Sequence, residues 1–210
     1  MTISMKNEII TSFLDEIIPN PHSELKYSED YELLLAVMLS AQTTDKRVNE
    51  VTSILFKKYN SLEKLAAAPI DDIMKIIKPI GTFRKKASNI IEISKALLPL
   101  GYVPNDREFL ENLHGVGRKT TNVVLGIIYG EKCIAVDTHV SRISKRLGLA
   151  KDSDTVLQVE KKLQKHFNKD TWSRRHLQLV LFGRYKCKSQ RPLCSNCYLK
   201  EICLYKNKKL

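Results

Sequence analysis

The stretch Leu113–Asn122 reads LHGVGRKTTN, and the interpretation of the fold starts from it. Gly115 and Gly117 stand one residue apart between two helix-forming segments, which predicts a tight turn between short helices. Glycines permit backbone angles closed to other residues, and their missing side chains let backbone N–H groups approach an anion. The second helix begins at this turn, so its dipole also favours a phosphate, and Arg118 adds positive charge. We therefore predict a phosphate-binding hairpin of two helices over about residues 107–126.

Lys119 is the candidate nucleophile. It lies in the first turn of the second helix, where the dipole disfavours a cation and favours the neutral amine. A neutral amine can attack a sugar C1′ and form a Schiff base. The alternative is a lysine that only binds a phosphate. Attack at an anomeric carbon also needs a nearby carboxylate, and Asp137 is the candidate, although Asp137-Thr138 also has the pattern of an ordinary helix N-cap.

The charge balance indicates a polyanionic partner. The chain of 210 residues has 35 lysines and arginines against 23 aspartates and glutamates, a formal net charge of +12. Nucleic acid is the first candidate and an acidic membrane surface the second. The longest uncharged apolar stretch, LLLAVMLSAQTT, is far shorter than the roughly 20 residues of a membrane-spanning helix. The N-terminal segment mixes charged with apolar residues, so we expect no signal peptide and a cytoplasmic protein.

Helical periodicity runs through nearly the whole sequence, with about ten helices and no convincing alternating strand. The segment YELLLAVMLSAQ, residues 31–42, is apolar almost all round and predicts a central helix. SNIIEISKALLPLG, residues 88–101, predicts an amphipathic one. We expect an all-α fold of two helical domains. One covers residues 22–132 and contains the hairpin, and the other combines residues 1–21 with 133–210.

The cysteines predict a metal site near the C-terminus. Cys133 stands alone, and the other four lie within the last 24 residues, at Cys187, Cys194, Cys197 and Cys203. A disulfide framework is not expected in a cytoplasmic protein. Four thiolates can hold tetrahedral zinc or a four-iron cluster. The spacing C-x6-C-x2-C-x5-C has a single C-x2-C with wider arms, which favours iron–sulfur over zinc.

The cysteine loop, residues 187–203, is also basic. From Arg184 to Leu210 there are eight lysines or arginines and one acid, Glu201. The segment KSQRPL between the first two cysteines carries Lys188 and Arg191, which we interpret as phosphate contacts. The alternative is a solvated basic tail.

Three motifs together resemble one family. They are the L-x-G-V-G-R-K-T hairpin, the V-D-T-H element about twenty residues further on, and the C-x6-C-x2-C-x5-C terminus. In this combination and order they resemble endonuclease III, the bifunctional DNA glycosylase/AP lyases of the helix–hairpin–helix superfamily. LLLAVMLSAQTTD also resembles the family's early helix and the turn after it. The resemblance covers nearly the whole chain.

The resemblance implies a DNA-binding cleft between two all-α domains and a [4Fe-4S] cluster on the four cysteines. It implies that Lys119 is the Schiff-base lysine, that Asp137 is the catalytic aspartate, and that Gln42 enters the DNA beside the extruded base. Its substrates would be oxidised or ring-damaged pyrimidines and abasic sites in double-stranded DNA, cut by β-elimination. The expected protein is a bacterial, nucleoid-associated monomer. The hairpin residues expected to hold the DNA are Gly115, Val116, Gly117 and Arg118.

The sequence departs from the family pattern at two positions. His114 stands where the family usually has proline, which loosens the turn slightly but removes no phosphate-binding N–H. Thr82 stands where many members have a leucine that wedges into the opposite strand. Thr82 is smaller and more polar, so either Phe83 takes over as the wedge or Thr82 is a weak one. The opposite-strand contacts and the base preference are therefore open, but the fold is not.

Two other functions fit part of the pattern. A monofunctional mismatch glycosylase of the same superfamily shares the cluster and the aspartate but generally lacks a lysine at the position of Lys119. A non-catalytic DNA-binding module would use the hairpin and the cluster only to hold DNA. The presence of both Lys119 and Asp137 argues against that module.

Overall fold

The computed structural model describes residues 2–208. Its regular elements are helices joined by turns and loops, with no strand among the described residues, so the all-α prediction is confirmed. None of the described helices is long and apolar enough to cross a membrane. Two short 3₁₀ helices cover Lys169–Thr171 and Tyr198–Glu201. The α-helices of the described chain are α1 Ile3–Ile17, α2 Asp30–Leu39, α3 Asp45–Lys58, α4 Leu62–Ala66, α5 Ile70–Ile77, α6 Phe83–Leu97, α7 Arg107–Asn112, α8 Arg118–Ile128, α9 Thr138–Arg146, α10 Val156–His166 and α11 Trp172–Tyr185.

The chain forms two compact units. Ser23–Tyr129 makes up the first, and the second combines the segment up to His22 with the segment from Gly130 onward. Each unit has its own cluster of buried apolar side chains. One continuous stretch of sequence therefore builds the core of the first unit. Two stretches, one on each side of it in the sequence, together build the core of the second unit.

Helix α2 is the centre of the first unit. Eight consecutive residues, from Glu32 to Leu39, are buried, because a helix that is apolar all round is stable only inside a core. Glu32 also accepts from the backbone N–H of Ser28 and Glu29, which completes a capping box at the start of α2. The prediction of a central helix here is confirmed.

Helix α6 begins earlier than the sequence predicted. The apolar pattern indicated a start at Ser88, whereas the helix begins at Phe83. Its N-cap, Thr82, is in the left-handed region with φ 56° and makes no side-chain cap bond, so the usual start signal is missing. The extra turn contains Arg84, Lys85 and the buried Lys86.

The second unit is organised around α9 and α11. Gly183 on α11 allows α9 and α11 to approach each other closely. A Cβ atom at this position would lie 2.8 Å from the His139 Cβ and 2.9 Å from the Ile143 Cδ1. Helix α1 is attached to α11 by Asp15, whose carboxylate accepts from Arg175 Nη1 at 2.7 Å and from Arg175 Nη2 at 2.8 Å. The N-terminal helix thus packs with the C-terminal part of the chain.

Candidate functional site

The hairpin consists of α7 and α8 joined by the turn 113–117. Asp106 caps α7 by accepting from the Phe109 N–H at 3.0 Å. Arg107 on α7 donates to Asn122 Oδ1 on α8 at 2.8 Å, so a partly buried polar pair holds the two short helices together. The Val116 N–H donates to the Leu113 carbonyl at 3.0 Å and closes the turn, with the Val116 side chain buried beneath it.

The two glycines of the turn have different roles. Gly115 has φ +81°, so the prediction of a backbone angle closed to other residues is confirmed there. The same prediction is wrong for Gly117, whose φ of −109° and ψ of 179° are ordinary extended values. A Cβ on Gly117 would meet nothing within 4 Å. What Gly117 provides is open space in front of the helix, which permits the close approach of an anion.

The first turn of α8 has the features of an anion site. Gly117 is its N-cap and makes no side-chain cap bond, so the positive end of the helix dipole meets no capping side chain at this terminus. Arg118 is exposed at this end, and the next side chain, Lys119, is half-buried. The predicted nucleophile therefore lies one residue past the predicted phosphate contact.

His114, which stands where the family usually has proline, contacts a glutamate on α6. Its Nδ1 lies 2.9 Å from Glu92 Oε2 on α6, an ion pair when His114 is protonated. Both side chains are largely exposed, so the pair is worth little in stability. It nevertheless gives the hairpin turn a polar attachment to α6 where proline would have supplied stiffness.

Asp137 is the N-cap of α9. Its Oδ1 accepts from the Val140 N–H at 2.8 Å, and the side chain is partly exposed. The N-cap interpretation is thus observed, and it uses one carboxylate oxygen. The chain before it, from Cys133 to Val136, is buried, and His176 Nδ1 lies 2.8 Å from the Ala135 carbonyl. Lys119 belongs to the first unit and Asp137 to the second.

Three non-glycine residues in the described chain have a positive φ, and each lies in a segment predicted to meet DNA. They are Gln42 with φ 57°, Thr82 with φ 56° and Arg191 with φ 48°. All three are exposed. Residues other than glycine occupy this region at a cost in free energy, which folded proteins tolerate mainly at functional sites. Phe83, the alternative wedge, is only partly exposed.

The four C-terminal cysteines line a single cavity of about 120 Å³ in the second unit. Its other walls are mainly apolar and include Phe13, Leu147 and Phe182. Burial raises the pKa of the Cys187 thiol and that of the Cys197 thiol. Within residues 2–208, no three cysteine, histidine or acidic side chains converge closely enough to hold a single metal ion. The thiols thus surround a space without meeting at one point.

Two arginines that the sequence analysis did not single out anchor the cysteine loop. Arg146 Nη1 donates to the Cys187 sulfur at 3.3 Å and to the Lys188 carbonyl at 2.8 Å. Its guanidinium also lies 3.9 Å from the centre of the Tyr205 ring. Arg142 Nη2 donates to the Cys187 carbonyl at 3.0 Å. In the sequence, the spacing of four residues indicates only that the two arginines lie on one face of α9. It does not reveal their partners, which are some forty residues away.

The basic residues of the cysteine loop are held by their backbone and exposed at their side chains. Arg146 binds the carbonyls of Lys188 and, at 3.1 Å, Ser189, while the Lys188 and Arg191 side chains are exposed. A fixed backbone with exposed cations is suited to phosphate contacts.

Comparison with known proteins identifies the class. The family model of HhH-GPD superfamily base excision DNA repair proteins matches residues 35–169. Endonuclease III of Bacillus subtilis is 47% identical over 192 residues, which are 90% of this chain and 88% of that protein. Endonuclease III of Haemophilus influenzae is 43% identical over 210 residues, 99% of both chains.

A solved structure agrees. It is that of a trapped covalent intermediate of endonuclease III with DNA, which is 43% identical, covers 97% of this chain and 96% of its own, and superposes with a TM-score of 0.92. The chain therefore belongs to the HhH-GPD superfamily of base excision DNA repair proteins, and within it to the endonuclease III family. Its activity is that of a bifunctional DNA glycosylase and AP lyase. The resemblance inferred from the motifs is confirmed.

Proposed function

We propose that this chain removes oxidised or ring-damaged pyrimidines from double-stranded DNA and cuts the strand on the 3′ side, with Lys119 as the nucleophile. The observation that carries the proposal is the position of Lys119, half-buried in the first turn of α8 directly behind the glycine N-cap and the exposed Arg118. A phosphate bound at that N-terminus would bring the neighbouring sugar to the lysine amine. A lysine amine at this position supplies the nucleophile that attack at C1′ requires.

The chemistry follows from an amine at C1′. Lys119 Nζ bonds to C1′, and the glycosidic bond breaks with its electron pair on the base nitrogen, which takes up a proton. The C1′–O4′ bond then breaks with its electron pair on O4′, which takes up a proton, and the resulting iminium ion acidifies the C2′ proton. Loss of that proton breaks the C3′–O bond and releases the phosphate, and water then frees Lys119. The balance needs no co-reactant besides water.

In this scheme Asp137 stabilises positive charge on the sugar and relays protons. Its Oδ1 is occupied by the cap bond from Val140, which fixes the orientation of the carboxylate. The second carboxylate oxygen is the one assigned to the chemistry. A carboxylate held by a helix cap is preorganised, so it costs little reorganisation during the reaction.

Recognition requires the damaged nucleotide to leave the stack, and a damaged base stacks and pairs poorly, which lowers that cost. Gln42 is proposed to enter the vacated space, with Thr82 or Phe83 as the wedge. The hairpin residues Gly115–Arg118 would hold the DNA backbone, and Lys188 and Arg191 would add phosphate contacts. We propose that the protein acts as a monomer.

A [4Fe-4S] cluster is proposed on Cys187, Cys194, Cys197 and Cys203. The donor set fits, because all four thiols line one cavity and four thiolates are the usual ligands of such a cluster. The four cysteines would hold the cluster, which would cross-link residues 187–203. The chain's own residues then present Lys188 and Arg191 from a rigid loop anchored by Arg146.

Borohydride trapping tests the proposal. A duplex with one thymine glycol is incubated with the native protein, with Lys119→Ala, and with Lys95→Ala as a control that removes an exposed lysine of the same unit. The proposal predicts a covalent protein–DNA adduct with the native protein and the control but not with Lys119→Ala. Base release without an adduct in the native protein would instead support the monofunctional glycosylase. If the native protein gave neither base release nor an adduct, on this duplex or on an abasic site, only the DNA-binding module would remain.

A further inference from the structure

Helix α6 carries a row of polar side chains towards the interior of the first unit. Lys86 is 5% exposed and Asn89 is 6% exposed, although lysine and asparagine are seldom so deeply buried. They are three residues apart and therefore lie on one side of the helix, with Glu92 one step further along. Glu92 is exposed, but the chemistry proposed above uses neither Lys86 nor Asn89, so the burial of these two needs another explanation.

The buried ammonium of Lys86 holds the backbone of one exposed turn. Its Nζ donates to the Leu39 carbonyl at 2.8 Å and to the Ala41 carbonyl at 2.7 Å, and Thr43 Oγ1 lies 3.5 Å away. These three residues surround Gln42, which has a φ of 57°. Leu39 is also the last residue of α2, so the cation complements the negative end of that helix.

The same lysine is bonded to the second exposed turn through its backbone. The Lys86 N–H donates to the Thr82 carbonyl at 3.1 Å, in the first turn of α6. Thr82 has a φ of 56° and is exposed beside the partly exposed Phe83. One residue thus links the Gln42 turn, through its side chain, with the Thr82 turn, through its main chain. Gln42 and Thr82 are the two residues other than glycine that have a positive φ in the first unit as described.

We propose that Lys86 is a positioning residue for base extrusion, which holds the Gln42 turn and the Thr82 turn in one fixed register so that both enter the DNA together. The inference rests on the proposed function, in which Gln42 fills the vacated space. Lys86 acts through Gln42 and not on DNA directly, because its ammonium is buried and occupied by protein carbonyls. Holding a positive-φ residue such as Gln42 in place requires surrounding structure that determines it, and this clamp provides it.

Asn89 extends the same frame to the hairpin. A Cβ atom on Gly115 would overlap the Asn89 amide, so the turn rests directly on α6. His114 lies against Glu92 one step further along. Helix α6 therefore supports the Gln42 turn, the Thr82 turn and the hairpin turn, and the Lys86 side chain is the contact that binds the carbonyls around Gln42.

A double-mutant cycle tests the proposal. Single-turnover excision of thymine glycol at saturating protein is measured for the native protein, Lys86→Met, Gln42→Ala and the double variant. Lys86→Met keeps the apolar stem and removes the clamp. We expect it to slow excision about tenfold when Gln42 is present and less than about twofold when Gln42 is alanine, within the range of coupling between interacting residues. Equal slowing in both backgrounds would overturn the proposal, because a general structural defect does not depend on Gln42.

Controls separate this proposal from charge loss, unfolding and the proposed function. Lys95→Met removes an exposed lysine of the same helix and is expected to leave the excision rate unchanged. If Lys86→Met does not fold by circular dichroism, the cycle is repeated with Lys86→Arg, whose larger head displaces the turn while keeping the charge. Absence of a borohydride adduct with the native protein would refute the proposed function. An adduct together with an additive cycle would refute only the role of Lys86.

Discussion

Gly115 lies so close to Asn89 that a single methyl group on the glycine would overlap the side-chain amide. Gly117, two residues further on, faces open space. The two glycines of one turn are therefore required for different reasons: Gly115 for folding, and Gly117 for what approaches from outside.

Alanine at each position separates these requirements. Gly115→Ala must adopt φ +81° and displace Asn89, so we expect a loss of about 2–4 kcal/mol in the free energy of unfolding. Gly117→Ala should cost less than about 1 kcal/mol, because its backbone is ordinary and its Cβ meets nothing. Thermal and urea unfolding of the two variants measure the difference.

The same pair predicts the opposite order for DNA binding. A Cβ at residue 117 occupies the space in front of α8, so Gly117→Ala should bind a duplex with a stable abasic-site analogue about tenfold more weakly, as for one lost charge-assisted hydrogen bond. Fluorescence anisotropy at fixed salt is the measurement. If a folded Gly117→Ala protein bound this duplex with native affinity, the hairpin would not be part of the DNA interface.

Asp15 should control the acid stability of the second unit. The hydrogen bond from Arg175, helped by Gln178 and Arg174, holds the pKa of this carboxyl far below its usual range. A lowered folded pKa stabilises the protein above the unfolded pKa of about 3.9, and that contribution is lost as pH falls through the folded value. Asp15→Asn should therefore lower the melting temperature at pH 7, and its gap to the native protein should narrow below about pH 4.

The magnitude at neutral pH is modest, since the Asp15 side chain is 40% exposed and solvent screens the pair. We expect about 1–2 kcal/mol, most of it from leaving the buried Arg175 without its carboxylate. Asp152→Asn, at an exposed carboxylate, is the matched control. A gap between native protein and Asp15→Asn that stays constant down to about pH 2.5 would contradict this account.

Arg146 should determine how firmly the cysteine loop is held. Arg146→Met removes the bonds to Cys187, Lys188 and Ser189 and the stacking on Tyr205. We expect faster proteolysis of residues 187–203 and faster loss of iron from the proposed cluster to a chelator. Lys145→Met is the control, because Lys145 bonds Asp152 and not the loop. Equal iron loss from both variants would mean that the loop does not depend on Arg146.

Local sequence signals predicted the parts of the site that are built from neighbouring residues. The glycine turn, the first-turn position of Lys119 and the Asp137 cap are each determined within a few residues, and the structure contains all three. The helical pattern of α2 was equally clear, because every one of its faces is apolar.

What the sequence did not reveal depends on partners far along the chain. Lys86 binds carbonyls 45 and 47 residues away, and in the sequence it is one of three consecutive basic residues, which resemble a solvated surface. The start of α6 was missed because Thr82 caps it in a left-handed conformation without a cap bond. Short α4 and α5 were not predicted as separate helices, since five and eight residues hold too little periodicity.

Gly117 shows a different kind of error. Two glycines close together in a turn suggest two unusual backbone angles, yet only Gly115 has one. The residue type does not state whether glycine is needed for its angle, for packing or for external space. Only the three-dimensional structure around each glycine distinguishes these reasons.

The central claim is that Lys119 forms the covalent bond to the sugar, and peptide mapping tests it most directly. The native protein is trapped with borohydride on thymine glycol DNA, digested with protease and nuclease, and analysed by mass spectrometry. The account predicts that the sugar remnant lies on Lys119 in the peptide that follows Gly117. A remnant on any other lysine, or on the N-terminal amine, would contradict it.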